Sequence, residues 1–179
     1  PRFSSTTLTG QFLLIFNVGL SISHSFIMPI FFINKFGVIA VAAVVILTIH
    51  RISLGIPMFV YGDFIKSHFK TIYIVSMIYE GLSIAVSAII PNFMIATVVW
   101  LTHDILGAAF WSPIQNTFIQ QYAREESRGR DTSEVIAIAS LGNIIGPILA
   151  GLLAPISISA PFLASGIIVT ISAFVLFKL

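Results

Sequence analysis

The chain has 179 residues, 57% of them hydrophobic and only 9% charged, with a formal net charge of +2. Roughly 25% charged residues is usual for a soluble domain, so this composition excludes an ordinary globular fold, and the few basic residues exclude a nucleic-acid surface. No cysteine is present, which removes disulfide frameworks and thiolate metal sites.

Six hydrophobic stretches follow in chain order: Thr9 to Asn34, Val38 to Tyr61, Thr71 to Ile90, Phe93 to Phe118, Ser133 to Ala154 and Ile156 to Phe177. Each is near the ~20 residues that a helix needs to cross ~30 Å of hydrocarbon. Runs such as Val38 to Leu47 are continuously apolar rather than alternating, which predicts helices and not barrel strands. The first stretch is too long for a secretory signal and lacks a small-residue cleavage pattern.

Two longer polar links, Gly62 to Lys70 and Tyr122 to Asp131, fall after the second and fourth spans and so on one side. Arg2, Lys66, Lys70, Arg124, Arg128, Arg130 and Lys178 share that side, against Lys35 alone on the other. The excess places these links and both chain ends in the cytoplasm. Glu125, Glu126 and Asp131 interleave with the arginines, which favours a solvated loop over an anionic-lipid patch. The chain starts at Pro1 and stops as the sixth span closes, so a fragment of a longer protein is expected.

His24, His50, Arg51, Glu80, His103 and Asp104 fall near the middles of their spans, where an ionised group costs about 2.5–3.5 kcal/mol on insertion scales. Arg51 stands against two carboxylates. The surplus carboxylate must be protonated, matched by a histidinium, or await a cationic ligand. On the first span Asn17, Ser21, His24 and Met28 form one stripe, and on the fourth Asp104, Trp111 and Gln115 form another. Asp104 and His24 lead as binding or proton-transfer groups, the competing reading being a helix-to-helix hydrogen bond. Arg51 and Glu80, at similar depth on sequential antiparallel spans, are expected to pair as a structural clamp. His50, beside Arg51, reads as a core histidine. Trp111 suits a cationic or aromatic solute, or packing.

The three mid-span histidines sit on separate helices with no close-spaced pair, a weak metal signal, so no metal and no cofactor are expected. Neither a glycine-flanked nucleophile nor a His-Glu-x-x-His signature occurs, and the expectation is a protein that is not an enzyme.

In the fifth span, Gly142, Gly146-Pro147 and Gly151 carry the spacing of a glycine-proline motif, with Ser133 in place of its first glycine and Ala150 in place of one of its last pair. Small residues there let a neighbouring helix approach, and Gly-Pro bends the helix. Asp63 followed by Lys66 and Lys70 forms an acid-then-base loop after the second span, with Phe64 directly after the acid. His103 stands four residues before Gly107. Phe26-Ile-Met-Pro29-Ile30 is echoed by Phe110-Trp-Ser-Pro113-Ile114.

With these motifs the chain resembles the amino-terminal half of a major facilitator superfamily transporter, the fifth-span motif being antiporter-like. The resemblance implies an all-α integral membrane fold of six transmembrane helices, a three-plus-three inverted repeat with sub-repeats at about 1–91 and 92–179. It also implies a missing carboxy-terminal half of a twelve-helix protein. The first and fourth helices would line the cavity, making Asn17, Ser21, His24, His103, Asp104, Trp111 and Gln115 the substrate- and proton-binding set. His103 would occupy the place of an arginine associated with proton coupling, and histidine titrates near neutral pH. Asp63 would gate, and Gly142, Gly146, Pro147 and Gly151 would pack. The expected function is alternating-access transport of a small solute across the plasma membrane, favouring proton-coupled export of an amphipathic or cationic compound. Uptake by symport or uniport, and a non-transporting scaffold or receptor, are the alternatives.

Overall fold

A computed structural model describes residues 5–61 and 68–175, all of whose regular elements are helical. The first span is broken into α1 (Ser5–Ser23) and α2 (Ile27–Phe36), bent by 40°. Pro29 sits in the first turn of α2, where its missing N–H is tolerated, and Met28 N donates to Ser25 O across the break. Gly37 ends α2 at φ 67°, a left-handed cap that glycine adopts without strain. Then follow α3 (Ala40–Tyr61) and α4 (Phe69–Ile89).

The fourth span runs as α5 (Phe93–His103), a π-helical turn (Asp104–Ala108) and α6 (Ala109–Tyr122). Asn92 caps α5 by accepting from Ile95 N at 3.0 Å. The fifth comprises α7 (Arg128–Ser140) and α8 (Gly142–Leu153), and the chain closes with α9 (Ala160–Val175).

Among the described residues four helices, or five with the broken first span, are long and apolar enough to cross a membrane. The sixth apolar stretch is α9, helical over Ala160–Val175, where the described residues end. It begins at Ala160 rather than Ile156, because Pro155 and a turn in which Ser159 N donates to Ser157 Oγ occupy the intervening residues. The expected gating residue Asp63 lies outside the described residues.

Packing follows a pattern of exchange. Helix α1 packs on α7, α8 and α9, α4 packs on α9, and the fourth span packs on α3 and α4. Exchanging first with fourth, second with fifth and third with sixth spans maps this pairing onto itself, as two related three-helix repeats would give. Close approach comes from glycine. A Cβ on Gly81 would lie 2.7 Å from Thr170 N, and one on Gly166 would lie 2.8 Å from Ala85 N, so α4 and α9 cross nearly backbone to backbone.

Two charged contacts sit at the ends of the bundle. Lys35 Nζ donates to Ala88 O at 2.5 Å and Ser87 O at 3.3 Å, over the rings of Phe31 and Phe36. Its charge thus meets the carbonyl end of α4, where the helix dipole favours a cation. In the link after α6, Arg124 Nε and its second guanidinium nitrogen each donate to Asp131 at 2.9 Å, and Arg124 N donates to Asp131 Oδ2 at 3.0 Å. This loop is therefore not merely solvated: a bidentate pair fixes its exit into α7. Asp131→Asn keeps the size and loses the charge, so exchange of the Arg124 amide in hydrogen-exchange mass spectrometry should quicken while that of α4 stays unchanged. Equal protection in both proteins would show the pair to be incidental.

Candidate substrate and proton site

The break after α1 and the π-helical turn after α5 put His24, His103 and Asp104 at matching irregularities of the first and fourth spans. A π-helical turn rotates the following residues and frees backbone groups, and such turns occur often at functional sites. Discontinuous helices near mid-membrane are also where carriers place their ligands. Here α3 supplies His50, and α4 supplies Glu80.

These side chains meet. His50 Nδ1 lies 2.7 Å from Asp104 Oδ2, His24 Nε2 lies 2.9 Å from His103 Nε2, and His103 Nε2 lies 3.4 Å from Asp104 Oδ1. His103 Nδ1 donates to Trp100 O. His50, His103, Asp104 and Glu80 are buried, none more than 3% exposed, and His24 is half-buried. Trp100 is fully buried behind the cluster, its ring centroid 5.0 Å from that of His50 and 4.9 Å from that of His103. This apolar wall lowers the local dielectric, so charges in the cluster interact strongly.

Glu80 is seated on Gly107, where any Cβ would overlap its carboxylate and come within 3.2 Å of its Cα. The Trp111 indole faces that carboxylate, but neither Trp111 Nε1 nor Glu80 Oε2 has a hydrogen-bond partner, and Asp104 Oδ1 has none either. Buried unpartnered polar atoms are uncommon and call for an explanation. All border a cavity of about 470 Å³ that also reaches Ser112 and Asn143. A second cavity, of about 410 Å³, lies toward Met28, Pro29 and Thr48. His24, His50 and Arg51 line both, so they form the partition between two chambers, one toward each end of the bundle.

The expected site residues divide accordingly. His24, His103, Asp104 and Trp111 come together at the main cavity. Gln115 stands apart, accepting from Tyr73 Oη at 3.3 Å. Asn17 and Ser21 serve packing: Asn17 Nδ2 donates to Ala139 O at 3.1 Å and Ser21 Oγ to Gly142 O at 2.8 Å, tying α1 to α7 and α8. Gly142 and Gly146 lie in that same seam, whereas Gly151 is exposed and has room. Pro147 is in the first turns of α8.

One reading is corrected. Arg51 and Glu80 do not form an ion pair: Arg51 is exposed at the cavity edge while Glu80 is buried against Gly107. His50 is buried as a core histidine, and the partner that satisfies it is Asp104. Its one available signal was its mid-span depth beside two other mid-span histidines, which adjacency to Arg51 obscured.

No curated protein and no solved structure matches the chain. A family model described as Major Facilitator Superfamily matches residues 7–179. With its apolar helices, its broken first span and its mid-membrane polar cluster, the chain belongs to the major facilitator superfamily and is a secondary transporter of the multi-pass membrane type.

Proposed function

We propose that this transporter couples proton movement to export of a cationic or amphipathic solute, with Glu80 and the Asp104–His50 pair as its ionisable site. The observation that carries the reading is the Glu80 carboxylate, wholly buried, with an oxygen that no donor satisfies, beside a second carboxylate held by one histidine. One positive group near two acids leaves a vacancy that a proton or a solute cation fills in turn. Mutual exclusion at one carboxylate is the simplest basis for exchange.

The partition of His24, His50 and Arg51 between two chambers suits alternating access, in which one chamber opens as the other closes. A second six-helix half would supply the facing wall, with both sub-repeats of this chain rocking against it. The protein would sit in the plasma membrane with its basic links and ends in the cytoplasm. Asp63, where the loop motif begins, is assigned the gating role.

The test is transport in proteoliposomes of the protein at its native length, with an imposed pH gradient and a panel of organic cations such as ethidium. Cation flux should follow the gradient and fall about tenfold or more in Glu80→Gln, because a buried cation loses its charged partner. Flux indifferent to the gradient, or unaltered in Glu80→Gln, would favour gradient-independent uniport or a scaffold.

A further inference from the structure

We propose that His24, His50 and His103 form a binding site for a divalent transition-metal ion of the Zn²⁺ class. One ring nitrogen from each lies within 4.8 Å of the other two, and the ring centroids are 5.0 to 5.4 Å apart. Convergence alone would be weak. What carries the inference is how the other nitrogens are used.

His50 Nδ1 is held by Asp104 Oδ2, His103 Nδ1 by Trp100 O, and His24 Nδ1 by Leu20 O at 3.1 Å. Carbonyl and ionised carboxylate oxygens only accept, so in neutral rings His50 and His103 carry the hydrogen on Nδ1 and present a lone pair at Nε2, as does His24 when its Nδ1 donates to Leu20 O. That is the tautomer of a metal-binding imidazole, with an acceptor behind each ring as in carboxylate–histidine–zinc arrangements. Ser23 Oγ, joined to Ser165 Oγ at 2.7 Å, lies 2.9 Å from His24 Nδ1 and accepts from that nitrogen when its own hydrogen goes to Ser165.

With all three hydrogens on Nδ1, His24 Nε2 and His103 Nε2 face each other at 2.9 Å with two lone pairs and no proton between them. Asp104 Oδ1, buried and without a hydrogen-bond partner, lies 3.4 Å from the same His103 nitrogen. In that tautomer three electron-rich atoms meet in a low-dielectric setting, and a bound cation relieves their repulsion. Tetrahedral coordination at ~2.0–2.1 Å places ligand nitrogens ~3.3 Å apart, so small ring movements bring the three into range, with Asp104 Oδ1 nearest for a fourth position. Nitrogen-rich donors select Zn²⁺-like ions over Mg²⁺ or Ca²⁺. The competing occupant is a single proton shared by His24 and His103.

This inference shares Asp104 and His50 with the proton-coupled export reading but is tested by metal binding alone, so either can fail without the other. Its test uses the purified native-length protein without a polyhistidine tag, titrated with Zn²⁺ by calorimetry at neutral pH and examined by X-ray absorption at the zinc edge. Expected are one equivalent per chain and a shell of imidazole nitrogens at ~2.0–2.1 Å. Asp104→Asn should weaken affinity about 10- to 100-fold, because an amide oxygen still accepts from His50 Nδ1 but the carboxylate charge behind the ring is lost. His68→Ala, which alters the one histidine of the sequence outside the cluster, should change nothing. Absence of stoichiometric binding, a shell lacking imidazole, or loss of binding in His68→Ala overturns the proposal, the first of these leaving the shared proton. The absorption spectrum needs no variant, so a failure of Asp104→Asn to fold leaves the test decisive.

Discussion

Asp104→Asn is expected to lose proton-coupled flux by on the order of 100-fold, the usual scale for removing a proton-transfer group, while the protein still folds and reaches the membrane. An asparagine Oδ1 can take the place of Asp104 Oδ2 and accept from His50 Nδ1, now 2.7 Å away. The local hydrogen bond survives and the titratable charge does not. Asp104 is 1% exposed and lines the main cavity, so an uncharged amide there has no proton to exchange with the solute site. Solute-driven pH change inside vesicles reads the coupling, and counterflow of the same solute at equal pH reads binding and movement without it. Coupling should vanish with counterflow largely kept. If both persist, Asp104 has only a packing role and proton transfer must be sought at Glu80; if both vanish with folding intact, Asp104 binds the solute itself.

Much of this site was legible in the sequence, because ionisable residues in hydrocarbon are too costly to retain without use or partner. Depth along each span identified His24, His103, Asp104 and Glu80 as a common layer, and the fold brings them together at one cavity. Rotation about each helix was the difficult quantity. In a soluble protein the apolar stripe tells which side faces inward, but in α3 lipid and protein interior both accept the same residues, and neighbouring positions point about 100° apart. Hence depth alone pairs Arg51 with Glu80, whereas the helix turns His50 to Asp104 and leaves Arg51 at the cavity edge.

The stripe on α1 is bonded differently. Asn17 and Ser21 do face protein, as their spacing implied, but their donors are taken by carbonyls of Ala139 and Gly142. Polar side chains between membrane helices often act as such ties. The break after Ser23 had a visible cause in Pro29 and the polar run Ser23-His24-Ser25. The π-helical turn at Asp104–Ala108 had none. Gly107 within it accommodates Glu80 from α4, and a contact between residues so distant in sequence leaves no local signature.

Gly146→Leu is expected to be the most disruptive packing change, destabilising the bundle by about 3 kcal/mol or more. Gly146 is buried at the crossing of α8 with α1. A Cβ there would overlap Ser21 Oγ and stand 2.9 Å from Ile22 N, a backbone atom that cannot rotate aside. Larger side chains must therefore push the two helices apart. Separation would also break the hydrogen bond from Ser21 Oγ to Gly142 O, and it would displace His24, one turn further along α1, from His103. Gly151→Ala is the matched control: its nearest neighbour would be Phe26 Cζ at 3.8 Å, ordinary contact, so its effect should stay within about 0.5 kcal/mol. Detergent-solubilised thermal unfolding, followed by size-exclusion of the heated sample, measures both. A large loss in Gly146→Leu with none in Gly151→Ala assigns the close-packed seam to the first part of the glycine-proline motif. Equal losses would mean that the motif acts along its whole length. The seam and the site are mechanically joined, because the helix that Gly146 admits ends at Ser23, directly before His24, and any movement of α8 on α1 moves a wall of the partition.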